Sequence, residues 1–252
     1  MTIILRRIGF LVILAAIWEA GSRLSGLPAY MFPSLVQVGE TLWQGILSGQ
    51  ITTAIGISLG RLLIGFTVAI ILGLIFGYLI WRYKLVEDTL GFLVTALQSI
   101  PSIVWFPLAI IWFGLNDKAI LFIVTIGATW TMTVSAASGF KNVPRLYQRV
   151  AKTFGSKGFH FIRTVILPAS VPQLISGLRI AWAFAWRALM AGELLGAAGG
   201  LGHLLDMGRS LGQMDLVITI MIIIGVIGTI IDNFVFMKLE KNVQRKWGLS
   251  TN

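Results

Sequence analysis

The sequence predicts an all-α polytopic membrane protein of about six transmembrane helices, with two short cytoplasmic helices between the fourth and fifth spans. Three observations predict it. Only 12% of the 252 residues are charged and 56% are hydrophobic, whereas a soluble domain carries roughly a quarter charged residues. Apolar runs approaching the roughly 20 residues that cross a bilayer recur along the whole chain, so a single membrane domain over 1–252 is expected. The cations fall in short stretches between those runs, as loop charges do in an oriented membrane protein. Helices are the expected form because a helix satisfies its own backbone polar groups in lipid. Barrel strands would alternate apolar and polar residues, and these runs are apolar on all sides.

The first span is expected over 8–22. Arg6 and Arg7, the apolar stretch and the small residues behind it also have the form of a secretory signal. No soluble domain follows, so a retained span is expected. "FPSLVQVGETLWQGILSGQ" reads as a short helix on the outer membrane surface. Ser34 and Gln37 have capping-box spacing, and Leu35, Val38, Leu42 and Ile46 share a face. The second span is expected over 57–81 and the third over 89–113, bent by Pro101 and Pro107. The fourth is expected over 119–137, the fifth over 169–195 and the sixth over 216–237. Gly73 and Gly77, and Gly192, Gly196 and Gly200, recur every four residues, which favours close helix contact.

Charge sets the orientation. With the N-terminus inside, fourteen cations lie on the cytoplasmic side: Arg6, Arg7, Arg82, Lys84, Lys141, Arg145, Arg149, Lys152, Lys157, Arg163, Lys238, Lys241, Arg245 and Lys246. Three lie outside: Arg23, Lys118 and Arg209. Both termini are therefore expected in the cytoplasm. The net charge of +10 is explained by membrane orientation, so no nucleic-acid partner is expected. There is no cysteine, hence no disulfide or thiolate chemistry, and no metal site is expected.

The cytoplasmic segment 141–168 has more pattern than orientation needs. Residues 139–168 hold six Lys or Arg and no acid. Phe159, Ile162 and Ile166 fall at helical spacing, with Lys157 and His160 off that stripe. Gly155 interrupts the helical pattern and offers a bend. Pro168 suits the first turn of the next helix. Two short helices with a turn at Gly155 are expected, fit to dock in a groove of a partner.

This segment resembles the signature of permease subunits of ATP-binding cassette importers: Glu-Ala-Ala, three residues, Gly, nine residues, Ile, one residue, Leu-Pro. Here nine residues follow Gly155, then Val165, Ile166, Leu167 and Pro168. Arg149-Val150-Ala151 stands where Glu-Ala-Ala is usual, so the glutamate's contacts do not carry over. "FPSLVQV", "SLGRLLIGF", "IPSIVWFPLAIIWFG", "LPASVPQLISGLRIA" and "AGELLGAAGGLGHLL" are similar to the branch of permeases for nitrate, taurine and alkanesulfonates. The resemblance implies coupling helices that sit on an ATPase subunit, involving Ala151, Gly155, Lys157, Phe159, His160, Ile162, Arg163, Leu167 and Pro168. It implies a bacterial inner-membrane importer subunit for a small oxoanion or organic anion. Its partners would be ATPase subunits, a second permease copy in a homodimer, an extracytoplasmic solute-binding protein and membrane lipid. ATP and magnesium would reside on the ATPase subunit, with no cofactor and no catalysis on this chain.

Pathway candidates are polar or aromatic residues at helix breaks and edges. Gln98, Ser99 and Ser102 flank Pro101, and Trp105 lies between the two prolines, as a pathway or a core residue. Trp130 and Thr131, with Thr133 and Ser135, give the fourth span a polar edge that suits the pathway or helix packing. Arg187 offers a cation to an anionic substrate or pairs across a subunit interface. Glu193 costs about 2.5–3.5 kcal/mol at bilayer depth, and reads as a gate or as a structural partner. Arg61, Arg179 and Asp232 read as structural pairs. Other readings are an importer for a different small nutrient, such as a pyrimidine or vitamin precursor, a channel or secondary transporter, and an intramembrane enzyme. The last lacks a motif: the P-loop spacing is absent around "TFGSKG", and His160 and His203 lie far apart in the expected topology.

Overall fold

The computed structural model describes residues 2–196 and 198–247, and the described residues hold helices and no strand. In chain order the helices are α1 (Thr2–Leu24), α2 (Leu35–Leu47), α3 (Gln50–Arg82), α4 (Lys84–Gln98), α5 (Ser102–Phe113), α6 (Asp117–Lys141), α7 (Arg145–Thr153), α8 (Gly158–Gly196), α9 (Leu201–Ser210) and α10 (Met214–Lys246). By length and composition α3, α6, α8 and α10 can each cross a membrane, and the pair α4–α5 can make one further, broken span. The chain divides into two compact units. One runs to Ser58 and resumes over Glu193–Val226; the other is Leu59–Gly192, continued from Ile227.

In the first unit, α1 stands where the first span is expected, but Arg6, Arg7, Glu19 and Arg23 leave residues 8–18 as its longest uncharged run. That is about 16 Å of helix at 1.5 Å per residue, about half of a hydrocarbon core. Glu19 has a local task. Its carboxylate accepts the Leu35 N–H at 2.9 Å, at the N-terminus of α2, where first-turn amides lack partners and a negative charge is favoured. Trp18 Nε1 donates to the Pro33 carbonyl at 3.1 Å, and its ring lies against Phe32. The capping box at Ser34 and Gln37 forms as the spacing predicts. Of the expected α2 stripe, Val38 is buried and Ile46 is exposed. Gly45 takes the inward place because a side chain there would strike Ile51. Thr219 of α10 donates to the Val38 carbonyl at 3.1 Å, and Thr41 of α2 donates to Asp215 at 2.5 Å.

In the second unit, α3 lies along α6. A Cβ on Gly65 would meet Val124 at 2.7 Å, on Gly73 Met132 at 2.6 Å, and on Gly77 Ala136 at 2.5 Å. The close contact expected of Gly73 and Gly77 is therefore present, and Gly65 extends it. Arg61 pairs with Asp117 at 2.5 Å. Arg179 of α8 pairs with Asp232 at 2.7 Å and Glu240 at 3.0 Å, both on α10. These charges are thus neutralised by partners distant in sequence. Phe66, Trp182 and Phe236 form an aromatic cluster beside them.

Three expectations are corrected. Helix α3 starts at Gln50, ahead of the expected 57, because Ile51 and Ala54 are buried. Gly192, Gly196 and Gly200 do not share one helix face, since α8 ends at Gly196 and Gly200, with φ +95°, precedes α9. Pro168 does not open a new helix. The helix that begins at Gly158 continues through it to Gly196. A π-helical stretch, Ile162–Ile166, lies just before the proline. Such a widened turn lets a residue without an N–H be accommodated without ending the helix.

Candidate functional site

Pro101 shapes the first candidate site. A proline disfavours helical geometry at the residue before it and lacks the N–H that would continue the ladder. Helix α4 accordingly stops at Gln98, and α5 leaves at an angle of 99°. Pro107 causes no second bend; it sits in the first turn of an α-helical segment, Phe106–Phe113, where its missing N–H costs little. The break lets the start of α5 approach α6 at Gly127. A Cβ there would meet Ala188 at 2.9 Å and Ser102 Cβ at 3.3 Å.

At this break lies a cavity of about 240 Å³, lined by Gln98, Ser99, Ser102, Trp130, Thr131 and Phe184 together with Ile100, Pro101, Ile126 and Gly127. Five of the expected pathway residues thus share one cavity: Gln98, Ser99, Ser102, Trp130 and Thr131. Gly127 was missed, although Gly127, Trp130 and Thr131 stand at i, i+3 and i+4 on one helix face. Phe184 was missed because nothing in a fifth apolar span distinguishes it. The lining has donors and no ionised group.

The remaining pathway candidates lie elsewhere. Trp105, in the first turn of α5, is not in the lining; its indole Nε1 is buried without a hydrogen-bond partner among the described residues. Arg187 is one turn from Phe184 on α8, with its guanidinium 5.2 Å from the centre of that ring. It is exposed, and no carboxylate of a described residue pairs with it. Glu193 is buried at 1% exposure. Its carboxylate accepts from Ser58 Oγ at 2.7 Å and from the Gly202 N–H at 3.0 Å. Ser58 Oγ in turn accepts the Leu201 N–H at 2.8 Å. Glu193 therefore serves the N-terminus of α9.

The second candidate site is the turn between α7 and α8. Gly155 has φ +76°. Its N–H donates to the Lys152 carbonyl at 3.0 Å, and the Ser156 N–H reaches back to the Ala151 carbonyl at 2.9 Å. This pair of bonds is a Schellman cap, which needs a left-handed residue at the position of Gly155. The bend expected at Gly155 is present, and Ala151 is its acceptor. The stripe Phe159, Ile162, Ile166 is not presented as one surface. Phe159 is 76% exposed, while Ile166 is fully buried, because the helix carrying both runs on into α8. A further exposed apolar face is on α7 and its C-cap, where Leu146, Tyr147, Val150 and Phe154 are exposed, Phe154 at 86%. Lys157, His160, Arg163 and Leu167 are exposed around it, and Ile162 is half-buried. A cavity of about 660 Å³ opens beside the turn, lined by Tyr78, Trp81, Arg82, Lys152, Phe159 and Phe161 among others.

Residues 69–247 match the family described as binding-protein-dependent transport system inner membrane component. A Methanocaldococcus jannaschii protein named as an ABC transporter permease is 39% identical over 196 residues, covering 75% of this chain and 72% of the relative. A Bacillus subtilis protein named as an aliphatic sulfonates transport permease is 30% identical over 235 residues, covering 93% and 84%. The nitrate import permease of a Synechocystis strain is 28% identical over 212 residues, covering 81% and 77%. Among solved structures, a chain of the inward-facing MetNI methionine ABC transporter superposes with a TM-score of 0.66, over 74% of this chain and 92% of that one. At 18% identity that likeness concerns the fold.

Proposed function

The chain belongs to the binding-protein-dependent transport system inner membrane component family, and from that membership we propose that it forms the membrane pathway of an ATP-driven importer for a small oxoanion or organic anion. The observation that carries the proposal is the turn after α7. A Gly155-capped helix presents Leu146, Tyr147, Val150 and Phe154, with Phe159 beyond the turn, as exposed apolar side chains among cations. An ATPase subunit would cover this face. ATP and magnesium would be held by that subunit, and closure of an ATPase pair would reach the spans through α7 and the start of α8. Two copies of the chain would line the pathway, both termini would be cytoplasmic, and a solute-binding protein would deliver substrate from outside. The chain itself would carry out no covalent step.

Purification of the tagged chain from native membranes tests this. An ATPase that co-purifies and hydrolyses MgATP is expected; a chain that purifies without one overturns the reading. The orientation has its own test. Single cysteines at positions 118 and 157 of this cysteine-free chain should react with an impermeant reagent from opposite sides. Labelling of position 157 from outside intact cells would reverse the topology.

Substrate charge is supported by Arg187, a cation without a carboxylate partner among the described residues, beside a ring that lines the cavity. The sulfonate and nitrate named for two relatives are anions. Arg187→Ala is expected to lower uptake at least tenfold while the ATPase still co-purifies in parent amounts. Loss of the ATPase instead would make Arg187 a structural residue.

A further inference from the structure

We propose that the cavity at the α4–α5 break is an anion subsite that binds through neutral donors alone. The proposal rests on the importer reading and adds to it the place and chemistry of a contact. The cavity is smaller than the roughly 300–1,000 Å³ of drug-sized sites, so it suits a ligand of a few heavy atoms. Thr131 lines it while only 4% exposed, yet its hydroxyl makes no hydrogen bond to a described residue, unlike the neighbouring Thr129 and Thr133, which each donate to a carbonyl one turn back. Ser102 and Gln98 line it with side chains that are likewise unbonded among the described residues. Gln98 and Ser102 are half-buried, but Thr131 is buried, and buried polar groups almost always find a partner, so its free hydroxyl at the cavity implies a partner that is not part of the chain. Trp130 Nε1 adds a buried N–H on the same helix face that has no partner among the described residues.

The sign of the ligand follows from what surrounds these groups. No carboxylate lines the cavity. Ser102 is in the first turn of α5, where amides lack intrahelical acceptors and the helix dipole favours negative charge. The twelve-residue α5 is a discontinuous half-helix whose N-terminus lines a cavity, an arrangement that suits an anionic group. Arg187, through its position over Phe184, adds positive field at the rim without occupying the lining. A site of hydroxyl and amide donors with its cation at the edge holds an anion without the tight ion pair that would slow its release. That suits a pathway in which substrate must enter and leave.

The test uses the chain with its ATPase partner in detergent, labelled with 5-fluorotryptophan and read by fluorine NMR. The Trp130 resonance is assigned by loss in Trp130→Phe. Methanesulfonate and nitrate are the probes, and methylammonium at equal ionic strength is the control. A saturable shift of the Trp130 resonance with the anions and not with methylammonium is expected. Thr131→Val, which replaces a hydroxyl by a methyl of similar size, should weaken the apparent affinity about tenfold, and Ser102→Ala should do likewise. No saturable shift, an equal shift with methylammonium, or parent affinity in both variants overturns the subsite. If the ATPase co-purifies while the anions give no shift, the subsite fails and the importer reading stands. An anion shift in a chain that brings down no ATPase upholds the subsite and overturns the importer.

Discussion

Gly155→Pro is expected to abolish ATP-coupled uptake while leaving the chain inserted in the membrane. Gly155 has φ +76°, and proline is locked near −65°. The substitution also removes the N–H that donates to the Lys152 carbonyl, so the cap of α7 cannot form. Nothing lies within 4 Å of a Cβ built at this position. Gly155→Ala therefore meets only the left-handed backbone cost, about 1–2 kcal/mol, and should retain most uptake. The graded pair separates a conformational requirement at the turn from a need for space. Phe159→Ala complements it, since truncating an aromatic docked in a partner forfeits roughly 1.5–3 kcal/mol, about ten- to a hundredfold in association. ATP hydrolysis by the ATPase subunit should persist in Gly155→Pro and Phe159→Ala without responding to loaded binding protein. If Gly155→Pro transports like the parent, the turn does not couple the two subunits.

What could be read from the sequence was set by local rules. Ser34 and Gln37 close a capping box whose two bonds need only residues three apart. Gly155 interrupts a helical pattern, and Pro101 bars the helix ahead of it, so both bends were visible. The apolar runs placed α6 and most of α3, α8 and α10. Longer-range features were not legible. The exposed apolar face of α7 and its C-cap escaped notice because Leu146, Val150 and Phe154 stand in a strongly basic stretch, and whether an apolar residue there is buried depends on which neighbours cover it. The stripe from Phe159 to Ile166 had the right period, but one end of that helix is exposed and the other is buried in the bundle. The cavity was legible residue by residue, as polar groups at helix breaks and edges. Its assembly needed the fold to bring the Pro101 break against Gly127 of α6.

The role of Glu193 shows the same limit, and it yields the second large expected effect. A carboxylate late in an apolar span raised two readings, and its partner Ser58 stands 135 positions away. Glu193→Ala should strip acceptors from Ser58 Oγ and the Gly202 N–H, both buried, at about 1–3 kcal/mol for each orphaned donor. Gly200→Ala should act on the same joint from the other side. Its φ is +95°, and the added Cβ would run into the Glu193 carboxylate. Both variants should therefore lose monodisperse protein in detergent and melt several degrees lower by thermal-shift fluorescence. Glu193→Gln keeps an acceptor oxygen at nearly the same volume and should recover much of the loss. It cannot fully replace the negative charge at the N-terminus of α9, where anions are favoured. A structural latch predicts that uptake follows the yield of folded protein across Ala, Gln and Gly200→Ala, with the parent's preference among anions retained. Glu193→Gln that is folded, as stable as the parent and dead in uptake would instead place this carboxylate on the substrate's path.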